Sequence, residues 1–374
     1  MSLFLTHARP RDLGIPFDGT PGPVNAITDV PGVEVGYTTL VHGDGPLRVG
    51  EGPVRTGVTA VLPRGREGAG RACAAGWYSL NGNGEMTGTT WIEESGALAM
   101  PILITNTHSV GPCHAGSVAW FIDHHPDVAR QWMLPVVAET WDGYLNDING
   151  AHVTADHAVA AIESARSGPV AQGAVGGGTG MTCYAFKGGS GSSSREVRFG
   201  DDVHTVAVFV QANFGSRREL TIAGQPVGRT LEVENLQEDT DWFAPPGAGS
   251  VIGLVATDAP LLPGQCKALA RRVPLGLART GTTGSHFSGD IFLAFSTAND
   301  GALTSRLIRG APEYDSLRFV PWSLIDPFYE AVVQATEEAV VSALVAAETT
   351  VGVDGHLSPG LPNEQVAALF AGRG

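Results

Sequence analysis

Basic residues are scarce in this chain, with 23 Lys and Arg against 38 Asp and Glu, and the formal net charge is −15. A phosphate backbone is repelled by such a surface, which argues against a nucleic-acid partner. Long hydrophobic runs are also missing. No stretch of about 18 or more apolar residues offers a membrane-spanning helix, and the apolar stretch within Met1 to His7 is too short for a signal peptide. Cysteine is limited to Cys73, Cys113, Cys183 and Cys266, far apart and without C-x-x-C spacing. A disulfide or metal framework has no pattern to rest on, so four reduced, buried thiols in a cytoplasmic protein are expected. His124-His125, and His152 with His157, lack the spacing and supporting carboxylate of a zinc helix, so no metal is expected. The G-x-S-x-G elbow of α/β-hydrolases is absent. Neither an internal repeat nor a low-complexity tract is found.

What is present is a globular composition, 43% hydrophobic and 16% charged, punctuated by 50 Gly and 24 Pro. Short β-branched runs recur at Ala26 to Leu40, Gly57 to Leu62, Pro101 to Thr105, Val203 to Ala212, Ser250 to Thr257 and Asp290 to Ser296, each bounded by turn formers. Several are apolar at both alternating positions, so these strands need cover on both faces and belong inside a layered structure. Helical periodicity marks His152 to Arg166, Pro263 to Leu277, Asp326 to Ala347 and a short Asn363 to Phe370. In the longest, Asp326 reads as a cap and Pro327 as the first helical residue.

The one boundary in composition precedes Ser250. Gly224 to Gly249 is mixed polar, aromatic and Pro/Gly-rich, ending Phe243-Ala-Pro-Pro-Gly-Ala-Gly249, and a buried strand follows at once. Gly249 lacks a Cβ, tolerates strained backbone and leaves its carbonyl open to attack. The Ser250 hydroxyl can attack that carbonyl, and hydrolysis of the ester frees an α-amine on the same residue. With a reference pKa of about 7.7–8.0, an α-amine serves as a base near neutrality. Gly-Ser alone carries no weight, since Gly189-Ser190 and Gly191-Ser192 also occur.

Three other groups support the junction. In His286-Phe-Ser-Gly-Asp290, strand alternation puts Ser288 and Asp290 on one face, about 6.6 Å apart along the axis, where a hydroxyl beside a carboxylate can relay a proton. Gly289 leaves the opposite face open for close packing. Gly176-Gly-Gly-Thr-Gly-Met181 offers backbone N–H groups for an oxyanion or phosphate, so Gly177 and Gly178 are candidate substrate-binding residues; no lysine follows in the register of a nucleotide loop. Asn213, ending an apolar strand, is a candidate oxyanion donor.

Arg11-Asp-Leu-Gly-Ile-Pro-Phe-Asp-Gly-Thr-Pro-Gly-Pro, Asn25-Ala-Ile-Thr-Asp-Val-Pro-Gly-Val-Glu-Val-Gly, the Gly176 motif, Val210-Gln-Ala-Asn and Ala256-Thr-Asp-Ala-Pro-Leu together resemble the DmpA family. Its members are L-aminopeptidase/D-Ala-esterase-amidases, with the β-aminopeptidases as relatives. The resemblance spans nearly the whole chain. It implies an α+β fold, a four-layer αββα sandwich, and self-cleavage of one catalytic domain into residues 1–249 and 250–374. It further implies assembly as a homotetramer of cleaved units and hydrolysis of small peptides, amides and esters with a free amino terminus, without cofactor. By motif match it assigns autocleavage to Gly249 and Ser250, the nucleophile to Ser250, support to Ser288 and Asp290, and the oxyanion hole to Asn213. Val136-Val-Ala-Glu139-Thr-Trp-Asp-Gly-Tyr144-Leu-Asn-Asp matches the region binding the substrate's amine, which gives Glu139 as ammonium anchor and Tyr144 as a catalytic residue. The β-aminopeptidases carry Glu where this chain has Asp290, one methylene shorter. Asp290 and Tyr144 together resemble the L-aminopeptidase branch. Two alternatives stand beside this: an acyltransferase like the ornithine acetyltransferases, which use Thr as nucleophile, and an uncleaved anion-binding protein.

Overall fold

The computed structural model describes residues 8–235, 249–305 and 313–371. Most of the Pro/Gly-rich run before the junction, residues 236–248, lies outside them, as does the Met1 to His7 stretch. Along the chain run strands β1 (Glu34–His42), β2 (Val54–Leu62), β3 (Cys73–Ser79), β4 (Ala97–Leu98), β5 (Ile102–Asn106), β6 (Val136–Thr140), β7 (Thr182–Cys183), β8 (Phe186–Lys187), β9 (Gly189–Phe199), β10 (Asp202–Asn213), β11 (Gly249–Thr257), β12 (Ser288–Ser296), β13 (Thr350–Val351) and β14 (Leu357–Ser358). The helices are α1 (Thr89–Ser95), α2 (Val110–His124), α3 (Pro126–Ala129), α4 (Ala155–Glu163), α5 (Val227–Thr230), α6 (Pro263–Ala270), α7 (Val273–Arg279), α8 (Asp326–Ala346) and α9 (Asn363–Phe370). None of the described helices is long and apolar enough to cross a membrane.

Two sheets stack face to face. One has the order β1-β2-β5-β6; the other has the order β4-β3-β12-β11-β10-β9. Pairing is parallel for β5–β6 and β11–β12 and antiparallel elsewhere. Strands buried on both faces require three apolar layers, and three are found. Ile104, Phe209, Ile252 and Leu293 pack between the sheets. Leu103, Trp120, Phe121 and Ile162 fill the space under α2 and α4. Val208, Val251, Phe292, Phe328 and Val340 fill the space under α6, α7 and α8. The expected αββα sandwich is therefore the observed architecture.

Several elements differ locally from their sequence pattern. The Ala26 to Leu40 run becomes a strand only at Glu34, because a 3-10 turn, Ile27–Asp29, comes first. The Asp29 carboxylate ties that turn down by accepting from Val24 N, Ala26 N and Ser194 Oγ. Pro263 to Leu277 is two helices. Pro274 lacks an N–H and its ring opposes the carbonyl one turn back, so α6 stops at Ala270 and a new helix starts at Val273. The α8 start is shifted by one residue, with Ile325 preceding the helix and Asp326 already in its first turn.

Strand β9 and helix α8 carry the closest packing. The missing Cβ of Gly191 would fall 2.0 Å from the Ala339 carbonyl oxygen, and Ser193 Oγ donates to the Ala335 carbonyl at 2.6 Å. Only Gly and Ser on the strand, and Ala on the helix, allow this approach. The interface is locked by Glu338, wholly buried, which accepts from Arg11 through two bonds of 2.9 Å, from Arg195 at 2.7 Å and from Asn25 at 2.7 Å. Burial pushes the Glu338 carboxyl up, but these partners together outweigh burial and hold it below the usual range.

Glu338→Gln should therefore cost about 3–5 kcal/mol in urea unfolding at pH 7, because it leaves two guanidinium groups uncompensated. A depressed folded pKa contributes stability above the unfolded value, about 4.3, and loses it as pH falls through the lower folded value. The gap between wild type and variant should accordingly narrow in acid.

Candidate active site

Strand register gathers the site at one end of the sandwich. Ser250, near the start of β11, is paired with Asn213 at the end of β10 and with Gly289 on β12. Side-chain alternation then sorts the residues by face. Ile252, Leu254, Ile291, Leu293 and Phe209 point between the sheets, so Ser250, Gly289, Gln211 and Asn213 share that face. Val251, Phe292 and Val210 point to the helices, so Ser288 and Asp290 lie on the other. Ser288 stands opposite Gly249. The 249–250 peptide thus runs in the sheet plane between the Ser250 hydroxyl on one side and the Ser288–Asp290 pair on the other.

Each part is closely held. Ser250 Oγ is buried and has no hydrogen-bond partner among the described residues. A buried hydroxyl left unpaired costs about 1–3 kcal/mol and calls for a reason. Asn213 has its amide fixed at both ends: Oδ1 accepts from Thr182 N at 2.9 Å and Nδ2 donates to Trp141 O at 2.8 Å. Among the described residues that leaves one amide N–H of Asn213, which pairs in register with Ser250, without a partner. Ser288 Oγ donates to Asp290 Oδ1 at 2.5 Å, and both residues are buried. Asn81, just past β3, donates from Nδ2 to Asp290 Oδ2 at 3.0 Å and accepts from Asp290 N at 2.6 Å. Burial raises the Asp290 carboxyl, while bonds from Ser288, Asn81 and the Val251 backbone pull it back.

Gly249 is required for a reason other than strain. Its missing Cβ would fall 1.9 Å from the Asn213 carbonyl oxygen, so a side chain there would collide with β10. Gly289 is similarly crowded, its missing Cβ falling 2.4 Å from Asn83 O and 2.6 Å from Gly84 Cα. A Cβ on Gly84 would in turn lie 2.9 Å from Gly289 Cα and 3.4 Å from Glu139 Oε1. Glu139, at the end of β6 in the other sheet, is therefore brought close to the start of β12. Its carboxylate is buried, accepts from Glu85 N at 2.9 Å and from Thr107 Oγ1, and is pushed up by that burial.

The glycine-rich turn takes a different place from the one its sequence suggests. Gly176 N donates to Thr39 Oγ1 at 2.8 Å, Gly177 N to Thr59 Oγ1 at 3.1 Å and Gly178 N to Val175 O at 2.9 Å. The N–H groups of Gly176, Gly177 and Gly178 are thus spent within the protein. It is glycine because it is wedged: Cβ atoms at 177 and 178 would lie 2.2 Å from Gln211 Oε1 and 2.4 Å from Ser190 N. Tyr144, in the segment that follows β6, meets the C-terminal segment. Its ring stacks on His356 at 4.8 Å and its hydroxyl donates to Leu357 O at 3.4 Å.

Lys187 has no counterpart in the sequence reading. Wholly buried, it donates to the carbonyls of Gly178, Met181 and Gly188 at 3.3, 2.7 and 2.8 Å, closing the loop that aims Thr182 N at Asn213. Burial brings its ammonium down to about 7, against the pull of Cys183 and Asp142. A cavity of about 240 Å³ at the opposite end of β6, lined by Trp91, Trp132, Leu98, Met100 and Val136, contains none of these residues.

A serine near the start of a central strand, with an amide beside it and a buried carboxylate facing it from a second sheet, is the arrangement of an N-terminal-nucleophile hydrolase. Residues 25–358 match the model of peptidase family S58. The chain is 50% identical, over 97% of its length and 91% of the relative's, to the β-peptidyl aminopeptidase BapA of Sphingosinicella microcystinivorans. Among solved structures it superposes on the L-aminopeptidase D-Ala-esterase/amidase of Ochrobactrum anthropi with a TM-score of 0.89 and 44% identity, covering 97% of this chain and 98% of that one. That enzyme is described as a prototype of the serine aminopeptidases and a variant of the Ntn-hydrolase fold. A Burkholderia sp. β-aminopeptidase superposes with a TM-score of 0.87 and 45% identity, covering 98% and 99%. The chain belongs to peptidase family S58 and is a serine-type aminopeptidase; the acyltransferase alternative is not favoured.

The wedged turn yields a test. Gly177→Ala should destabilise the fold by more than about 1–3 kcal/mol through overpacking against Gln211, while KM in the folded fraction stays within about twofold. A KM rise with unchanged stability would restore a substrate contact at this turn.

Proposed function

We propose that the chain cleaves itself between Gly249 and Ser250 and then releases N-terminal residues from small peptides, amides and esters through an acyl-enzyme on Ser250. The observation that carries this reading is the register, with the unpaired Ser250 hydroxyl on one side of the junction peptide and the Ser288–Asp290 pair on the other. In self-cleavage, Ser250 Oγ adds to the Gly249 carbonyl carbon and the C–N bond breaks toward the Ser250 nitrogen. Water then hydrolyses the ester, leaving a Gly249 carboxylate and a free Ser250 α-amine.

In turnover the α-amine takes the Ser250 hydroxyl proton as the oxygen attacks the substrate carbonyl, and the Ser288–Asp290 pair orients that amine from the opposite face. The free N–H of Asn213 receives the oxyanion, a contribution worth about 3–4 kcal/mol for a single such donor. The proton passes to the leaving amine, water attacks the acyl ester, and the proton returns. Glu139 pairs with the substrate's ammonium and so limits attack to the first residue, held ready by Thr107 and the Glu85 N–H. Tyr144 lines the same region through the 141–147 segment, whose Trp141 carbonyl orients Asn213. The relatives include enzymes named for β-peptides and for L- and D-configured substrates; a panel of α-L, D and β aminoacyl anilides assigns this chain's preference. We further propose a cytoplasmic homotetramer of cleaved units, in keeping with four free, buried cysteines, to be checked by light scattering.

Purified protein should run on a denaturing gel as pieces of residues 1–249 and 250–374, and Ser250→Ala as one inactive band. An intact, fully active wild-type chain would overturn the scheme. Glu139→Gln should lower kcat/KM by about 10–100-fold for substrates with a free amine, as expected for a lost buried charge pair. Because burial raises the Glu139 carboxyl, kcat/KM of the wild type should begin to fall above the ordinary glutamate range as pH drops. The Gln variant should lose that component and keep the limb set by the Ser250 amine.

A further inference from the structure

We infer that Asn81 is a positioning residue for the reaction: its side-chain amide grips Asp290 at both backbone and carboxylate and so sets the orientation in which Asp290 holds Ser288. Antiparallel pairing of β3 with β12 ends at Ser79 opposite Ile291. The last backbone bond is Leu80 N to Asp290 O at 2.9 Å. One residue on, where the next strand carbonyl would accept, Asn81 Oδ1 takes the Asp290 N–H at 2.6 Å. Its Nδ2 donates to Asp290 Oδ2 and to Ser285 O, each at 3.0 Å, and its own carbonyl accepts from Ser79 Oγ at 2.5 Å. Acceptor faces N–H and donor faces oxygen throughout, so the amide has one orientation. Asp290 Oδ1 is then the oxygen that receives Ser288 Oγ.

The grip matters because the carboxylate is buried and, among the described residues, pairs with no cation. Its donors are neutral: the Ser288 hydroxyl, the Asn81 amide and the Val251 N–H. Titratable and charged residues on the segments next to it are Tyr78 on β3, Glu85 in the loop after it, His286 before β12, Lys267 on α6 with Arg271 just after it, and Glu139 across the other face. None of these side chains hydrogen-bonds Asp290 among the described residues. In the proposed reading, the freed Ser250 amine is the nearest base. Burial pushes the Asp290 carboxyl up and the Asn81 bond opposes it, so loss of that donor favours the protonated form. A protonated Asp290 ceases to be the charged acceptor that holds Ser288.

Asn81→Asp is the sharp variant. It keeps the shape and the acceptor for Asp290 N–H, but puts a second carboxylate oxygen where Nδ2 stood, 3.0 Å from Asp290 Oδ2. Two such carboxylates share a proton and titrate high.

The inference rests on the proposed role of the Ser288–Asp290 pair, so Asp290→Asn is measured alongside Asn81→Asp and Asn81→Ala. The assay is the kcat–pH profile on an aminoacyl p-nitroanilide, with rates taken per burst-titrated Ser250. For Asn81→Asp the acid limb of kcat should rise by about one pH unit or more, with KM within about threefold. Asn81→Ala should lower kcat about 10–100-fold and move the limb less. Limbs unmoved in both variants, or wild-type kcat in both, would overturn the inference, as would failure of both to give folded protein by circular dichroism. Wild-type activity in Asp290→Asn would instead sink the role of the pair itself.

Discussion

Parallel pairing of β11 with β12 is the constraint on which the rest depends. It fixes Ser250 opposite Gly289 and Gly249 opposite Ser288, so that a hydroxyl and a hydroxyl–carboxylate pair flank one peptide from opposite faces. A slip of one residue would swap the faces of every side chain on one strand. The register is held by apolar side chains above and below both strands, and by β10 and β3 on the outer sides. Catalytic geometry here is therefore a by-product of core packing, since the residues that align the strands are the valines, leucines and phenylalanines further along them.

Rigidity at the other flank has a similar origin. The Gly-Ser run of β9 lets α8 sit directly on the sheet, and the Arg11–Glu338–Arg195 cluster fastens the N-terminal arm over that contact. The glycine-rich turn and Lys187 then wedge between the sheets beside Gln211 and Asn213. None of these residues does chemistry in the proposed scheme. Each removes freedom from something that does.

The sequence was legible where one residue type serves one purpose. Doubly apolar runs marked β10, β11 and β12 and required cover on two faces, and the Ala/Val periodicity marked α8. Strand β9 was hidden because Gly and Ser are there to admit a helix backbone, which no β-propensity reports. Helix α2 was hidden by Gly111, Pro112 and Gly116; a Cβ at 116 would lie 2.4 Å from the Ala155 carbonyl oxygen. Ser250, Ser288, Asp290 and Asn213 were legible as chemistry-bearing types, and Glu139 only through the resemblance of its motif. Their division between two faces was not, because it depends on register between strands distant in sequence. Gly177 and Gly178 misled because a glycine-rich turn looks the same whether it cradles an anion or fills a gap. Asn81 sat in an ordinary Asn/Gly loop. Lys187 did leave a trace, as one of only two lysines in a chain that otherwise relies on arginine.

In the six-stranded sheet, β12 and all of β11 but its first residue belong to the sequence after residue 249, whereas β3, β4, β9 and β10 belong to the sequence before it. The downstream part is thus inlaid as the middle of a sheet whose borders come from the upstream part, and α8 caps it from outside. The layer under α2 and α4 is wholly upstream, but the other two apolar layers draw on both portions. Severing the chain between them would leave two polypeptides that remain one folded body, and the downstream one, which supplies only the two middle strands of that sheet, would not be expected to fold without the other.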